Sequence, residues 1–248
     1  MRIATTVIAA LASAPLHADL VSVQAAADAT LYQSTDGSVA NGAGQYTFAG
    51  RTNQGFTRRA LVRFDLSGVV PTDATVTAVR LVMNVSQANG GVRNVALHRA
   101  LTAWTTGASD PDLTESSGAP ALAGDATWLH ASYQPDGSSV FWTNSGGDFA
   151  AQASAVLATT TGGLQTWESP GLLADVLAFR ADPSSNLGWF LIGDESVAGT
   201  ARRFDSADSA SLGGIAPRLE IEFTAVPEPG SLALIGAAAL FAGRRRRN

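Results

Sequence analysis

The sequence predicts an all-β fold, a two-sheet sandwich with one short helix. Three observations carry that expectation. Apolar and polar residues alternate with period two in many short runs, turn residues punctuate the gaps, and only one stretch has helical period. The clearest run is Leu219, Ile221 and Phe223 on one face against Glu220, Glu222 and Thr224 on the other. Successive side chains of a strand point to opposite faces, so this pattern fits a strand with one face on a core.

Taken in order, further strands are expected over 28–33, 45–50, 60–66, 79–85, 92–101, 126–131, 139–143, 164–168, 187–193 and 200–205. In 60–66, Ala60, Val62, Phe64 and Leu66 point inward while Leu61, Arg63 and Asp65 point outward. In the next run Val79, Leu81, Met83 and Val85 alternate with Arg80, Val82, Asn84 and Ser86. Val76 is out of phase with that set, which predicts a bulge near Thr77, because one extra residue flips the side-chain phase. Asp36-Gly37, Asn89-Gly90-Gly91, Asp136-Gly137 and Gly213-Gly214 supply turns between the runs. The helix is expected over 170–180, with Ser169 as its cap, Pro170 at the first position and Leu172, Leu173, Val176 and Leu177 as its apolar stripe. The longest irregular stretch is 105–125.

Both ends of the 248-residue chain read as addresses rather than as fold. Met1-Arg2, the uncharged apolar stretch 3–14 and Leu16-His17-Ala18 before Asp19 form a secretory signal peptide over 1–18, a substrate for signal peptidase. At the other end, residues 226–248 hold Pro227-Glu228-Pro229, an apolar segment over 231–243, and then Arg244, Arg245, Arg246 and Arg247. The two prolines break any helix or strand at their position. The 13 apolar residues span roughly 20 Å as a helix, against about 30 Å of hydrocarbon. The arginines sit where the positive-inside rule places a cytoplasmic stop. This tail resembles the PEP-CTERM sorting signal. The resemblance implies recognition by an exosortase, transient insertion in the inner membrane, and delivery to the cell surface or the extracellular space in a system that makes exopolysaccharide.

Between these ends lies one domain, residues 19–225, long enough to bury a core without staples. The chain has no cysteine, so neither a disulfide framework nor a thiolate metal site is available. All its cationic side chains apart from histidine are arginines. With the ends removed, 11 arginines face 20 acids, a net charge of −9. Such a domain is a poor non-specific binder of nucleic acid, and no nucleic-acid partner is expected.

The order of several segments resembles the DNRLRE-domain family, secreted jelly-roll modules related to carbohydrate-binding modules. The segments are ADATLYQS (27–34), RRALVRFDLSGV (58–69), ATVTAVRLVMNVSQ (74–87), NVALHRALTAW (94–104), FWTNSGGDF (141–149), LGWFLIG (187–193), RRFDSADS (202–209) and APRLEIEF (216–223). The resemblance implies a jelly-roll form of the sandwich and binding of polysaccharide. The chain departs from the family's Ser-Arg-Glu at Ser206-Ala207-Asp208.

Catalytic signatures are sparse. The domain holds only His98 and His130, both in expected strands and both read as structural. It has neither a Gly-x-Ser-x-Gly elbow nor a His-Glu-x-x-His motif. Asp110-Pro111-Asp112 with Glu115 offers oxygen ligands to a structural Ca2+, but lacks the EF-hand pattern, and a solvated acidic loop is the favoured reading. No other cofactor is expected. Trp189, within an apolar run, reads as core. Trp128 and Trp142 flank the longer loops and are the candidate platforms for stacking a sugar ring, with core filling as the favoured competing reading. Arg59, Arg63 and Arg80 fall on outward phases of two successive strands. If those strands pair, the three form a cationic strip suited to the carboxylates of an acidic polysaccharide; the competing reading is cross-strand pairing with acids. The expected function is therefore non-enzymatic polysaccharide binding at the cell surface or in a matrix. The alternatives are a polysaccharide lyase or glycoside hydrolase, and a purely structural matrix or adhesion protein.

Overall fold

The computed structural model describes residues 18–225. The rest of the predicted signal peptide, and the sorting segment with Pro227, Glu228, Pro229, Arg244, Arg245, Arg246 and Arg247, lie outside the described residues. Strands are numbered in chain order: β1 (Ala18–Tyr32), β2 (Val39–Ala40), β3 (Tyr46–Arg51), β4 (Thr57–Phe64), β5 (Thr75–Ala88), β6 (Arg93–Arg99), β7 (Ala119–Pro120), β8 (His130–Ser132), β9 (Val140–Phe141), β10 (Ala155–Thr159), β11 (Gly163–Glu168), β12 (Trp189–Ile192), β13 (Arg202–Asp205) and β14 (Arg218–Thr224). A single α-helix, α1 (Pro170–Ala181), occurs among the described residues.

Two antiparallel sheets enclose the main core. In the open sheet, β5 pairs with β14, β11 and β13; the first half of β1 extends it beyond β14, and β3 extends it beyond β13. In the covered sheet the order is β10, β6, β12, β4 and the second half of β1. β1 and β3 belong to both, which closes the sandwich in a barrel-like way. β1 changes sheet where its register slips between Ala25 and Ala27, a bulge that lets the strand bend. β3 changes sheet at Gly50, whose φ of 110° lies where only glycine is at ease.

The alternating patterns explain the main core. Leu219, Ile221 and Phe223 of β14 meet Val79, Leu81 and Met83 of β5, Val62 and Phe64 of β4, and Trp189 and Leu191 of β12. Burying each such side chain contributes about 1.5–3 kcal/mol. The expected bulge is present: Glu222 pairs with Ala78 and Phe223 with Val76, which leaves Thr77 as the extra residue. The Ser169 side chain caps α1 by accepting from the Leu172 N–H at 3.0 Å. The stripe of α1 differs from the expected one. Leu172, Val176 and Phe179 are buried, whereas Leu177 is 43% exposed. Phe179 supplies the last turn of the stripe, with its ring 5.2 Å from that of Trp189.

The run 60–66 departs further from its reading. Leu61, on the outward phase, is fully buried, and so is Phe190 on β12. Both enter a second core, where Ala29 and Leu31 of β1 meet Trp104, Ala126, Trp128, Ala131 and Trp142. Residues 100–149 thus fold over the outer face of the covered sheet, so β4 and β12 are buried on both sides. That cover has little regular structure, and its backbone N–H groups need other acceptors. Asp125 accepts from Ala108, Ser109 and Leu122, and Asp148 from Thr143 and Asn144.

Candidate functional site

The expected cationic strip does not form, because β4 and β5 lie in different sheets and do not pair. Arg59 and Arg63 are on β4 in the covered sheet; Arg80 is on β5 in the open sheet. Arg80 makes the competing arrangement, cross-strand ion pairs with Glu168 at 2.8 Å and Glu222 at 2.6 Å. Arg59 is held by Glu195 at 2.8 Å, and its guanidinium lies over the Trp128 ring. Arg63 packs over Trp104, 5.2 Å from the ring centroid.

The two expected sugar platforms are also corrected. Trp128 is 8% exposed and Trp142 5%, both within the second core. The Trp142 indole N–H donates to the Thr127 carbonyl at 2.8 Å. Their rings fill the space between sheet and cover and present no stacking face to solvent. Trp189 is core, as expected.

The acidic loop also turns inward. Glu115 is buried, and its two carboxylate oxygens accept from the Gln45 N–H at 2.9 Å and the Tyr46 N–H at 2.7 Å. Asp110 accepts from the Asp112 N–H of its own turn. Among the described residues, no group of three or more His, Asp or Glu side chains converges on a point where a metal ion could sit. His98 contacts the Ala150 carbonyl through Nδ1 at 2.8 Å, and His130 contacts the Thr127 hydroxyl through Nδ1 at 2.8 Å.

A different cleft gathers recognition chemistry. It has a volume of about 520 Å³ and forms at the corner where β3 leaves the open sheet. Its rim is the tight turn at 52–56. Thr52 N–H bonds Phe56 O at 2.9 Å, Thr52 Oγ1 accepts from Phe56 N–H at 3.1 Å, and Arg51 Nε donates to Gly55 O at 2.7 Å. This bonding fixes the Phe56 backbone at the rim, and its side chain is 53% exposed. Asn53, Gln54, Gln87 and Asn89 line the cleft with amides, and Arg58 and Arg203 with guanidinium groups. No carboxylate is among its lining residues.

Both arginines are oriented by aromatic rings. The Arg203 guanidinium carbon lies 3.9 Å from the Tyr46 ring centroid, and Nε donates to Ser86 Oγ at 3.0 Å. That of Arg58 lies 4.6 Å from the Tyr32 ring centroid. Arg58 is only 8% exposed, makes no ion pair among the described residues, and has a buried Nε–H without a partner. Its Nη1 bonds the Thr57 carbonyl at 3.0 Å. Burial lowers its pKa from the ordinary arginine value, with Tyr32 opposing the shift. Sequence reasoning passed over Arg58 because it lies on the inward phase of β4, where an apolar residue is the norm. An arginine on that phase, two residues after the 52–56 turn, is the signal that marks it.

A larger cleft, about 810 Å³, lies at the other end of β4 and takes in Arg63, Asp65 and Arg180. Two of its charged groups are engaged locally. Arg180 donates to the Pro71 carbonyl at 2.8 Å, and Asp65 accepts from the Ser67 N–H at 2.9 Å. Its aromatic members, Phe64 and Phe179, are buried.

In a comparison with known families, the family model of the PEP-CTERM protein-sorting motif matches the C-terminus, residues 225–247. The chain carries a PEP-CTERM sorting signal. That motif is a recognition signal for exosortase processing and implies export to the cell surface or the extracellular space. A search of curated proteins finds no match to the chain. The corner cleft belongs to the β-rich part of the chain, ahead of the matched segment.

Proposed function

We propose that the β-domain of this exported protein binds polysaccharide without catalysis, as part of the cell surface or of an exopolysaccharide matrix. Signal peptidase would release residues 1–18, and the apolar tail would pass through a membrane-inserted stage before exosortase acts. The reading includes a DNRLRE-type jelly roll for 19–225. The strand path supports that form, since it alternates between the two sheets through β4, β5 and β6, and again through β10, β11 and β12.

One observation carries the binding reading. The corner cleft combines an exposed aromatic ring, Phe56, with amides that can pair with hydroxyl groups. Sugars have an apolar C–H face and a polar rim, and this lining complements both. Its hydrogen-bonded turn orders the backbone that carries the ring before ligand arrives, which limits the ordering cost of binding. No cofactor is needed for such recognition.

Affinity electrophoresis of the exported protein through gels containing the host's exopolysaccharide tests the proposal. Retardation is expected, together with a clear loss in Phe56→Ala, whose side chain supports no core. Unretarded migration, or retardation unchanged in Phe56→Ala, would remove the cleft from this role.

A further inference from the structure

We infer that the corner cleft takes a carboxylated sugar, a uronate-type residue, with the carboxylate received by Arg58 and Arg203 and the sugar ring lying against Phe56. This rests on the glycan-binding reading and adds the ligand's charge class. Three observations lead to it.

The first is the distribution of charge. On a domain of net charge −9, four of the eleven arginines are ion-paired among the described residues, Arg59 to Glu195, Arg80 to Glu168 and Glu222, Arg93 to Asp194, and Arg218 to Glu220, and seven are not. Arg58 and Arg203 form no such pair among the described residues, and they share one cleft without a carboxylate in its lining. Two unmatched cations in one recess leave a local positive site in an acidic molecule.

The second is an unfilled donor. The Arg58 Nε–H is buried and unpartnered in a side chain more than nine-tenths buried. Native structures rarely leave such a donor unmade, because it has lost water and gained nothing in return. The Nη2–H reaches only the Ser116 carbonyl, at 3.4 Å. An incoming acceptor would complete this edge of the guanidinium. A planar carboxylate suits it, since the guanidinium fork matches two oxygens at once.

The third is preorganisation. The guanidinium carbons of Arg58 and Arg203 lie over the Tyr32 and Tyr46 rings, which fixes the position of both cations. Stacking on a ring uses the face of a guanidinium and leaves its N–H edges for a ligand. The field of the whole domain opposes a polyanion, but with a screening length of about 8 Å at physiological salt only nearby charges act on a docked sugar.

The test uses the exported protein in affinity gels of polygalacturonate, alginate and hyaluronate, each beside its carboxyl-reduced form, with dextran sulfate as a further gel. The expected result is retention on at least one carboxylated polymer, falling about tenfold or more on carboxyl reduction and in Arg58→Gln and Arg203→Gln. Arg203 is half-exposed, so Arg203→Gln keeps the test valid if Arg58→Gln fails to fold. Equal retention on the reduced polymers, lost only in Phe56→Ala, would overturn the charge assignment while leaving glycan binding intact. Retention on dextran sulfate equal to that on the uronates would also overturn it, as simple anion pairing. Absence of retention on every polymer, charged and reduced, would overturn the inference and the glycan-binding reading together.

Discussion

Glu195 grips Arg59 with both carboxylate oxygens, Nε to Oε1 at 2.8 Å and Nη2 to Oε2 at 2.9 Å. The remaining Nη1 donates to the Gly146 carbonyl at 2.8 Å. The cation also lies 5.0 Å from the Trp128 ring centroid and 5.2 Å from that of Phe149. One guanidinium thus ties β4, the cover segment and the turn after β12 together. Removing either partner leaves the other charge half-buried and alone. Arg59→Ala should therefore cost about 2–4 kcal/mol of stability. A double-mutant cycle with Glu195→Ala, read by urea unfolding, should give a coupling of about 1–3 kcal/mol. Coupling near zero would mean that the fork contributes nothing and that Arg59 acts through its ring contacts alone.

All five tryptophans are buried, so the domain should emit in the blue-shifted range and resist quenching by iodide. Trp142→Ala should cost about 3–5 kcal/mol, the range for emptying a large aromatic site. It should leave glycan retention unchanged in the fraction that stays folded. Loss of retention without loss of stability would restore Trp142 as a binding platform.

The strands legible in the sequence are those with one wet face. β14 reads correctly residue by residue, and the phase slip at Val76 locates the Thr77 bulge, because period two is a local property. What is not local is hidden. Leu61 sits among outward residues, and only the folding of 100–149 over the sheet buries it. Trp128 and Trp142 look loop-borne because the cover that encloses them lacks a ladder. β10 goes unread because its small side chains alternate in the wrong sense, with Val156 exposed and Ala155 buried. The same non-locality separates Arg80 from Arg59 and Arg63, since adjacent strands in sequence enter different sheets. Arg58 and Arg203 meet at one cleft only through the corner at Gly50.

The length of β1 bears on where the mature chain should begin. Its first part, Ala18 to Gln24, forms seven register pairs with β14, and Val21 and Val23 pack against the main core. A chain beginning at Asp19 keeps all but one of these pairs. A chain beginning at Asp28 loses them all and leaves β14 as an unpaired edge. The shorter chain should unfold at a markedly lower urea concentration and tend to self-associate. Equal midpoints for the two chains would show that this half-strand adds nothing to the fold.

Asp28 gives the domain an unusual pH dependence. The side chain is buried on β1, and Oδ2 accepts from the Ala207 N–H at 2.7 Å. Burial pushes its pKa up to about 7; the nearby Asp208 and Glu115 carboxylates add to this and the Ala207 bond opposes it. In the unfolded chain the group titrates near 3.9. Between about pH 4 and pH 7 the folded state therefore holds a proton that the unfolded state has released. The stabilising contribution of Asp28 is fully present below about pH 4 and is lost as pH rises through 7, a change on the order of a few kcal/mol. Asp28→Asn keeps an acceptor for the Ala207 N–H and cannot ionise. It should be more stable than the parent at pH 8 and nearly equal to it at pH 4.5. Urea unfolding of both proteins at the two pH values measures this difference directly, because groups that titrate alike in both proteins cancel. A gap that stays constant across the range would show that Asp28 is ionised in the folded domain throughout.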